Sequence, residues 1–199
     1  LHLVDAAKNF TLKNLNLNLC PTETKFFVSN KNREIGKNFI DKDKFNIVLG
    51  VGSSGPTTKW GVGNYSNLIN KLNSENNFYF YLLCGKNESN ISHEIMDKIV
   101  KKNCSSLHNM TIKQLIPILT SCNMYVGNDS FGSHITSQSG IKSIVILLDS
   151  PRAYTDYSKN FCRIIPRGFD IDKISHGSNA DPNLVLVEDV IKNINRLKN

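Results

Sequence analysis

The sequence predicts an α/β fold: a Rossmann-like, mostly parallel sheet with helices on both faces. Short apolar runs alternate with segments of helical spacing through most of the chain, which favours strand–helix–strand units and a parallel sheet. The first of these runs, residues 46–52, is almost continuously apolar, as in strands covered on both faces. Polar loops follow the apolar runs repeatedly, and parallel sheets bind ligands at such positions.

The expected elements follow from hydrophobic periodicity and from capping residues. Strands are expected at residues 46–52, 78–84, 105–107, 124–126, 143–148 and 161–165. Helices are expected at residues 64–72, 91–100, 112–121, 135–140 and 187–197. Asn64 and Thr111 are the expected N-caps of the first and third of these helices. Pro117 is expected to kink or shorten the third.

The chain has 199 residues, enough for one large domain or two small ones. Residues 45–199 read as one domain. Residues 1–44 read as an interdomain connection or the remnant of a missing N-terminal domain. Within them, the alternation of Leu15, Leu17 and Leu19 indicates a short strand or extended edge, and residues 29–40 a helix capped by Ser29 or Asn30.

The chain is basic, with a net charge of +7 and a pI near 9.1. Such a charge favours a phosphorylated or polyanionic partner, or an anionic membrane surface. The lysines are scattered, and no basic stripe is interleaved with aromatics, so nucleic acid is not an expected partner. No apolar run has the length of a membrane span. The five cysteines form no C-x-x-C pair, which favours reduced thiols over a zinc site or a disulfide framework.

The most informative stretch is residues 126–134, a predicted strand-to-helix turn. A helix that begins here directs free N–H groups at whatever lies above the sheet edge, which suits a phosphate or carboxylate. Asp129 and Ser130 are good N-cap residues, and Gly132 allows a ligand to approach the backbone. His134 follows within one helical turn. The alternative is a capped helix with a histidine that only packs.

Two further loops carry polar side chains after predicted strands. Thr57, Thr58 and Lys59 can donate hydrogen bonds to phosphate oxygens, and Lys59 adds a positive charge. Glu88 can accept hydrogen bonds from ribose hydroxyls. Each loop, taken alone, could also be an ordinary solvated loop. Trp60 is expected to anchor its loop by packing. Because carboxyl ends of parallel strands meet at one sheet edge, several such loops together indicate a site.

Several other chemistries do not fit. The P-loop pattern is absent, and the G-x-G-x-x-G run at residues 50–55 does not open directly into a helix, which argues against a nicotinamide site. Asp129, Ser130 and His134 lie too close in sequence for a hydrolase triad, and the G-x-S-x-G motif is absent. No second His or carboxylate stands at metal-binding spacing beside His134, so no metal is expected. No cofactor is expected either.

Five pieces of the sequence occur in the order of a known family: residues 47–60 with their K-W loop, 80–88 with Gly-x-x-Glu, 110–115, 127–134, and 143–151. The fourth is similar to that family's D-[ST]-G-x-x-H signature. Together they resemble the family-9 glycosyltransferases, the bacterial ADP-heptose:lipopolysaccharide heptosyltransferases and their relatives, over residues 45–165. The resemblance implies the C-terminal domain of a GT-B fold, which binds a nucleotide-diphosphate sugar (ADP-heptose in the family).

The resemblance also assigns roles to residues. It implies a diphosphate held by Thr57, Thr58 and Lys59, and a ribose held by Glu88. It implies that Met110 lines the base and that Asp129 contacts the donor sugar. It implies phosphate contacts from Ser130, Gly132 and His134. The implied acceptor is a glycan such as lipopolysaccharide or another lipid-linked molecule, and the implied setting is the cytoplasm, peripheral at the inner face of the inner membrane.

The sequence departs from the family in two ways. Phe131 stands between Ser130 and Gly132, where the family has glycine directly after Ser or Thr. The family's catalytic base lies in an N-terminal half that this chain lacks, so donor binding without transfer is expected unless that half is supplied. The alternative is a non-catalytic nucleotide- or sugar-phosphate-binding module. A nucleotide-sugar epimerase would need a further acid/base pair that the sequence does not offer.

Overall fold

The computed structural model of the chain describes residues 2–17, 23–75, 77–101, 103–151, 155 and 157–198. Within these residues six strands form one parallel sheet in the order β3-β2-β1-β4-β5-β6, which confirms the predicted fold class. The strands are β1 Phe45–Gly50, β2 Phe78–Leu83, β3 Cys104–Ser106, β4 Met124–Asn128, β5 Lys142–Ile146 and β6 Phe161–Ile164.

Helices cover both faces of the sheet. The helices are α1 Leu3–Leu15, α2 Asn30–Phe39, α3 Val62–Leu72, α4 Ser89–Lys98, α5 Ile112–Leu119, α6 Phe131–Gln138 and α7 Val187–Lys198. Helix α1 buries none of its residues and contributes to neither core cluster. None of the helices in the described part of the chain is long and apolar enough to span a bilayer.

The core has two parts because successive side chains of a strand point to opposite faces. In β1, Ile47 and Leu49 face a cluster formed with α3, α4 and α7, whereas Val48 faces a cluster formed with α5. All three side chains are fully buried. The continuous apolar run that predicted a doubly covered strand therefore reflects burial on both sides.

Helix α3 begins earlier than expected, and Asn64 does not cap it. The N-cap is Gly61, whose φ of 96° lies in the left-handed region that favours glycine. This turn starts the helix at Val62, directly after the loop that follows β1. Asn64 lies inside the helix, where its side-chain nitrogen donates to the carbonyl oxygen of Trp60 at 2.8 Å.

The first segment is helical, and the expected strand at its end is wrong for the residues that the structure describes. Leu15 is the last residue of α1, and Leu17 lies in no strand. The ring of His2 accepts from the backbone N–H of Val4 at the start of the helix, and Asn16, with a φ of 53°, ends it. Local capping thus overrode the alternation of leucines. Leu19 lies outside the described residues.

Helix α2 packs against α5 on one face of the sheet. Ser29 is its N-cap, as the sequence predicts. The two helices approach closely at Gly36, where a Cβ would overlap the carbonyl oxygen of Pro117. Pro117 lies inside α5, which ends two residues earlier than expected, at Leu119. The domain boundary at residue 45 stays a prediction, although α2 lies before it and packs on elements that lie after it.

Candidate functional site

The candidate site lies at the carboxyl ends of β1 and β4. These strands are neighbours at the centre of the sheet, and the chain leaves them in opposite directions, β1 towards β2 and β4 towards β5. Open α/β sheets bind ligands in the crevice above such a switch point. Three adjacent strands, β2, β1 and β4, deliver Glu88, the loop of residues 51–61, and the turn that begins at Asp129.

The floor of this crevice is made of glycine. Gly50 ends β1 and pairs in register with Gly127 of β4. A Cβ on Gly127 would lie 2.5 Å from the backbone nitrogen of Gly50 and 2.6 Å from its carbonyl oxygen. The two backbones can approach this closely only because Gly127 has no side chain, whereas a Cβ on Gly50 would meet the side chain of Tyr125.

The side chain of Asn128 links the end of β4 to the loop of residues 51–61 that follows β1. Its side-chain oxygen accepts from the backbone N–H of Trp60 at 2.9 Å and from the hydroxyl of Tyr65 at 3.0 Å, and its amide nitrogen donates to the carbonyl oxygen of Val51 at 3.0 Å. Asn128 is fully buried. Trp60 is also buried and donates through Nε1 to Val185, which confirms that it anchors its loop by packing.

Lys59 and Glu88 form an ion pair at the mouth of the crevice, with 2.8 Å between Nζ and Oε1. Glu88 also accepts from the backbone N–H groups of Ser53 at 3.2 Å and Gly85 at 3.4 Å. Burial alone raises the pKa of the Glu88 carboxyl, but the hydrogen bonds from Lys59 and these amides outweigh it and hold the pKa below its ordinary value. Glu88 is therefore fixed as an acceptor beside a cation.

The two threonines hold the first loop to its neighbours. The hydroxyl of Thr57 donates to Oδ2 of Asp149, whose Oδ1 accepts from the backbone N–H of Gly177 at 2.5 Å. The hydroxyl of Thr58 lies 2.6 Å from the hydroxyl of Ser53. Asp149 is buried and follows β5. No sequence motif links Asp149 to these partners, which lie far away along the chain.

The turn after β4 leads into a capped helix, as the sequence predicts, but this helix covers Phe131–Gln138 rather than residues 135–140. Ser130 is the N-cap of α6, and its backbone N–H donates to the hydroxyl of Ser133 at 3.2 Å. Ser133 in turn lies 3.3 Å from Oδ1 of Asp129. At the second residue of the helix, a Cβ on Gly132 would lie 2.5 Å from Leu83 of β2. Phe131, which stands where the family has glycine, is the first residue of α6, so the helix still opens at the crevice.

His134 contacts two groups. Its Nε2 lies 3.6 Å from Oδ1 of Asp129, and its Nδ1 is hydrogen-bonded to the hydroxyl of Tyr157. The His134 and Tyr157 rings are nearly parallel, at 23°, with centroids 5.6 Å apart. Tyr157 also packs against Phe161 of β6. No motif marks Tyr157, which comes to the site only through the position of β5 and β6 beside β4.

Met110 lies apart from the other predicted residues. It lines a groove of about 500 Å³ between α2 and α5, together with residues that include Ile35, Phe39, Lys113 and Pro117. The residues that line this groove, among those the structure describes, include none of the other predicted site residues. The structure thus brings the residues after β1, β2 and β4 together, whereas Met110 follows β3, at the edge of the sheet.

Several solved structures are similar in fold to this chain. E. coli ADP-heptose lps heptosyltransferase II matches 87% of this chain with a TM-score of 0.72 at 19% identity, over 53% of its own length. E. coli heptosyltransferase WaaC with ADP matches 99% of this chain, with a TM-score of 0.74 at 15% identity, over 57% of its own length. A family 9 glycosyl transferase from Veillonella parvula has the same TM-score at 15% identity, covering 91% of this chain and 55% of its own.

These structures share the fold, and the chain spans about half the length of each. No curated protein sequence matches the chain. The model of the family described as glycosyltransferase family 9 (heptosyltransferase) matches residues 1–160, which include every residue of the predicted site. The chain therefore belongs to glycosyltransferase family 9.

Proposed function

We propose that this chain is the donor-binding half of an inverting GT-B glycosyltransferase that transfers a sugar from a nucleotide-diphosphate sugar to lipopolysaccharide or another glycan. The carrying observation is the convergence of Lys59, Glu88, Asp129 and His134 with the start of α6 above the β1–β4 crevice. ADP-heptose is the proposed donor, since one solved relative is an ADP-heptose lps heptosyltransferase and another was solved with ADP.

The proposed diphosphate position lies between Lys59 and the start of α6. A helix N-terminus offers unpaired backbone N–H groups, and Lys59 supplies a positive charge. When a sugar leaves a diphosphate, negative charge develops on the phosphate oxygens, and fixed donors aimed at them lower the barrier. Ser130 and His134 are proposed to add hydrogen-bond donors to the phosphates, and Gly132 to let the phosphates approach the backbone. Asp129 is proposed to contact the sugar.

Donor binding requires an exchange of partners. In the free chain Lys59 is neutralised by Glu88, and the Thr57 hydroxyl is bonded to Asp149. A bound diphosphate would draw Lys59 away and leave the Glu88 carboxylate to accept from ribose hydroxyls. The ion pair holds both side chains, about a quarter exposed, at the mouth before the ligand arrives. Thr57 and Thr58 would follow the same exchange at the phosphates.

The remaining proposals concern parts of the enzyme outside the crevice: the base-binding residue, the catalytic base and the membrane. Met110 is proposed to line the base, because it follows β3 and is partly exposed in the groove between α2 and α5. The catalytic base is proposed to lie in an N-terminal half, as the family resemblance implies. A lipid-linked acceptor would place the enzyme at the inner face of the inner membrane, and the net charge of +7 suits peripheral contact with an anionic surface there.

Calorimetric titration with ADP, UDP, GDP and their common sugar conjugates tests the donor site. We expect saturable binding of one diphosphate nucleotide. Lys59→Ala and Asp129→Ala should weaken the binding of its sugar conjugate about tenfold or more, because each removes a charged partner. Lys37→Ala is the matched control: it removes an exposed lysine of α2 that pairs with Glu34 and lies outside the proposed site, and it should leave affinity unchanged.

Two results of these titrations would count against the proposed function. If none of these nucleotides binds, or if Lys59→Ala binds as tightly as the wild type, the donor-site assignment is wrong. If ADP binds but its sugar conjugate gains nothing and Asp129→Ala has no effect, the non-catalytic nucleotide-binding module becomes the better reading.

A further inference from the structure

The contacts of His134 restrict where its proton can be. A carboxylate only accepts hydrogen bonds, and a neutral imidazole has one N–H donor and one acceptor nitrogen. Nε2 faces Oδ1 of Asp129 at 3.6 Å, so a favourable contact there requires the proton on Nε2. Nδ1 is then an acceptor. The hydroxyl of Tyr157, which is bonded to Nδ1, can supply the proton that this acceptor needs.

The opposite tautomer satisfies these neighbours less well. With the proton on Nδ1, the lone pair of Nε2 would face the carboxylate oxygen of Asp129, and the phenol would have to accept. Ring packing also fixes the position of Tyr157. Its ring stacks near His134 and packs on Phe161 of β6, with 5.9 Å between the Tyr157 and Phe161 centroids. The His134 side chain is 41% exposed, whereas that of Asp129 is only 12% exposed.

We infer that Tyr157 is a positioning residue that holds neutral His134 with its proton on Nε2, directed towards Asp129 and towards an anion bound at the start of α6. In the free chain this N–H faces Asp129. When a nucleotide diphosphate binds, the same N–H is available to a phosphate oxygen. This second part rests on the proposed function; the tautomer itself does not.

Without the Tyr157 hydroxyl, His134 should be able to adopt either tautomer. Without a donor at Nδ1, the proton can move there, and Nε2 then presents a lone pair to the anion. Tyr157→Phe keeps the ring that stacks on His134 and packs on Phe161, so it removes the hydrogen bond and little else. Tyr79→Phe is the matched control, because it removes a hydroxyl of β2 that is bonded to Ser105 of β3, away from the site.

Nitrogen-15 NMR of histidine-labelled full chain measures the tautomer directly at the alkaline plateau of the titration. The chain has five histidines, and the spectrum of His134→Gln assigns the signal that is lost. We expect the Nε2–H form in the wild type and in Tyr79→Phe, and a mixture of both forms in Tyr157→Phe. The Kd for ADP should rise about three- to tenfold in Tyr157→Phe, the effect of one weakened hydrogen bond.

The outcomes separate this inference from the proposed function. An Nδ1–H form in the wild type, or an unchanged tautomer in Tyr157→Phe, would overturn the inference whether or not ADP binds. An unchanged affinity in Tyr157→Phe, when the wild type does bind ADP, would overturn its second part. If the wild type binds no nucleotide but shows the Nε2–H form, lost in Tyr157→Phe, the tautomer assignment is supported and only the proposed function fails.

Discussion

At the scale of single residues, the polar side chains of the crevice satisfy one another. Lys59 pairs with Glu88, Thr57 with Asp149, and His134 with Asp129. A buried polar group without a partner destabilises a protein by about 1–3 kcal/mol, and the pairing of Asp149, which is buried, avoids this cost. A donor bound as proposed would replace these contacts, and its affinity would be the difference between the two sets.

Glu88→Gln should change how stability depends on pH. The pKa of Glu88 in the folded chain lies below its ordinary value of 4.5, so folding favours the ionised carboxylate. This contribution is present above pH 4.5 and is lost as the pH falls through the folded-state pKa. The wild type should therefore exceed Glu88→Gln in stability most near neutrality, and the difference should shrink on acidification. Urea denaturation over a pH series measures it.

A glutamate outside the site provides the comparison. Glu94 is exposed on α4, and Glu94→Gln removes the same charge. We expect no comparable pH-dependent difference for that variant. A stability difference between wild type and Glu88→Gln that stays constant through the acid range would mean that the ion pair with Lys59 does not favour the ionised form.

At the scale of elements, the site depends on how closely β1 and β4 approach. Gly50 and Gly127 pair side by side at the ends of their strands, and Tyr125 fills the space beside them. Its hydroxyl donates to the carbonyl oxygen of Asn128 at 2.7 Å. Burial raises the pKa of the Tyr125 phenol well above its ordinary value, so this donor stays protonated. The crevice therefore has a closely packed floor, from which the turn at Asp129 departs.

Gly127→Ala should destabilise the chain by about 1–3 kcal/mol or more, because the new Cβ would meet the backbone of Gly50 at 2.5 Å, and backbone cannot rotate away. Urea denaturation gives the free energy of unfolding. Gly63→Ala is the control: Gly63 lies in α3 with nothing within 4 Å of its added Cβ, so that variant should be neutral or slightly more stable. A Gly127→Ala chain within about 0.5 kcal/mol of the wild type would contradict the close approach.

At the scale of the whole molecule, the strand order places the site at the centre of the sheet. Loops that are separated by up to about ninety residues along the chain, such as those holding Thr57 and Asp149, meet because β1, β4 and β5 are neighbours. The excess of positive charge is also a property of the whole chain, since its 24 basic residues are spread over the length of the sequence.

Binding to membranes tests that charge. The chain should sediment with vesicles that contain anionic lipids at low ionic strength, because each lysine or arginine near such a surface contributes about 1 kcal/mol. Binding should fall steeply as salt is added, since the screening length drops from about 10 Å at 0.1 M to about 3 Å at 1 M. Vesicles of neutral phosphatidylcholine are the control. Equal binding to both lipids, or none to either, would contradict a charge-driven contact.

Much of the fold could be predicted because burial leaves a local record in the sequence. The apolar run at β1 and the spacing of Val190 and Ile194 in α7 mark faces that the structure buries completely. Errors arose where capping decided the outcome: Gly61 starts α3 ahead of Asn64, and α1 extends to Leu15 instead of giving way to a strand. These choices depend on one or two backbone angles, which periodicity does not report.

The sequence by itself determined the class of fold, the order of its elements from α2 onward, and a set of polar residues after β1, β2 and β4 that the family match at residues 1–160 covers. Only the tertiary structure decided which strands are neighbours, and hence that Lys59 pairs with Glu88, that Asp149 holds Thr57, and that Tyr157 stands beside His134. The reason is physical: periodicity along the chain records which face of an element is buried, whereas contacts between distant loops arise from the packing of the whole sheet.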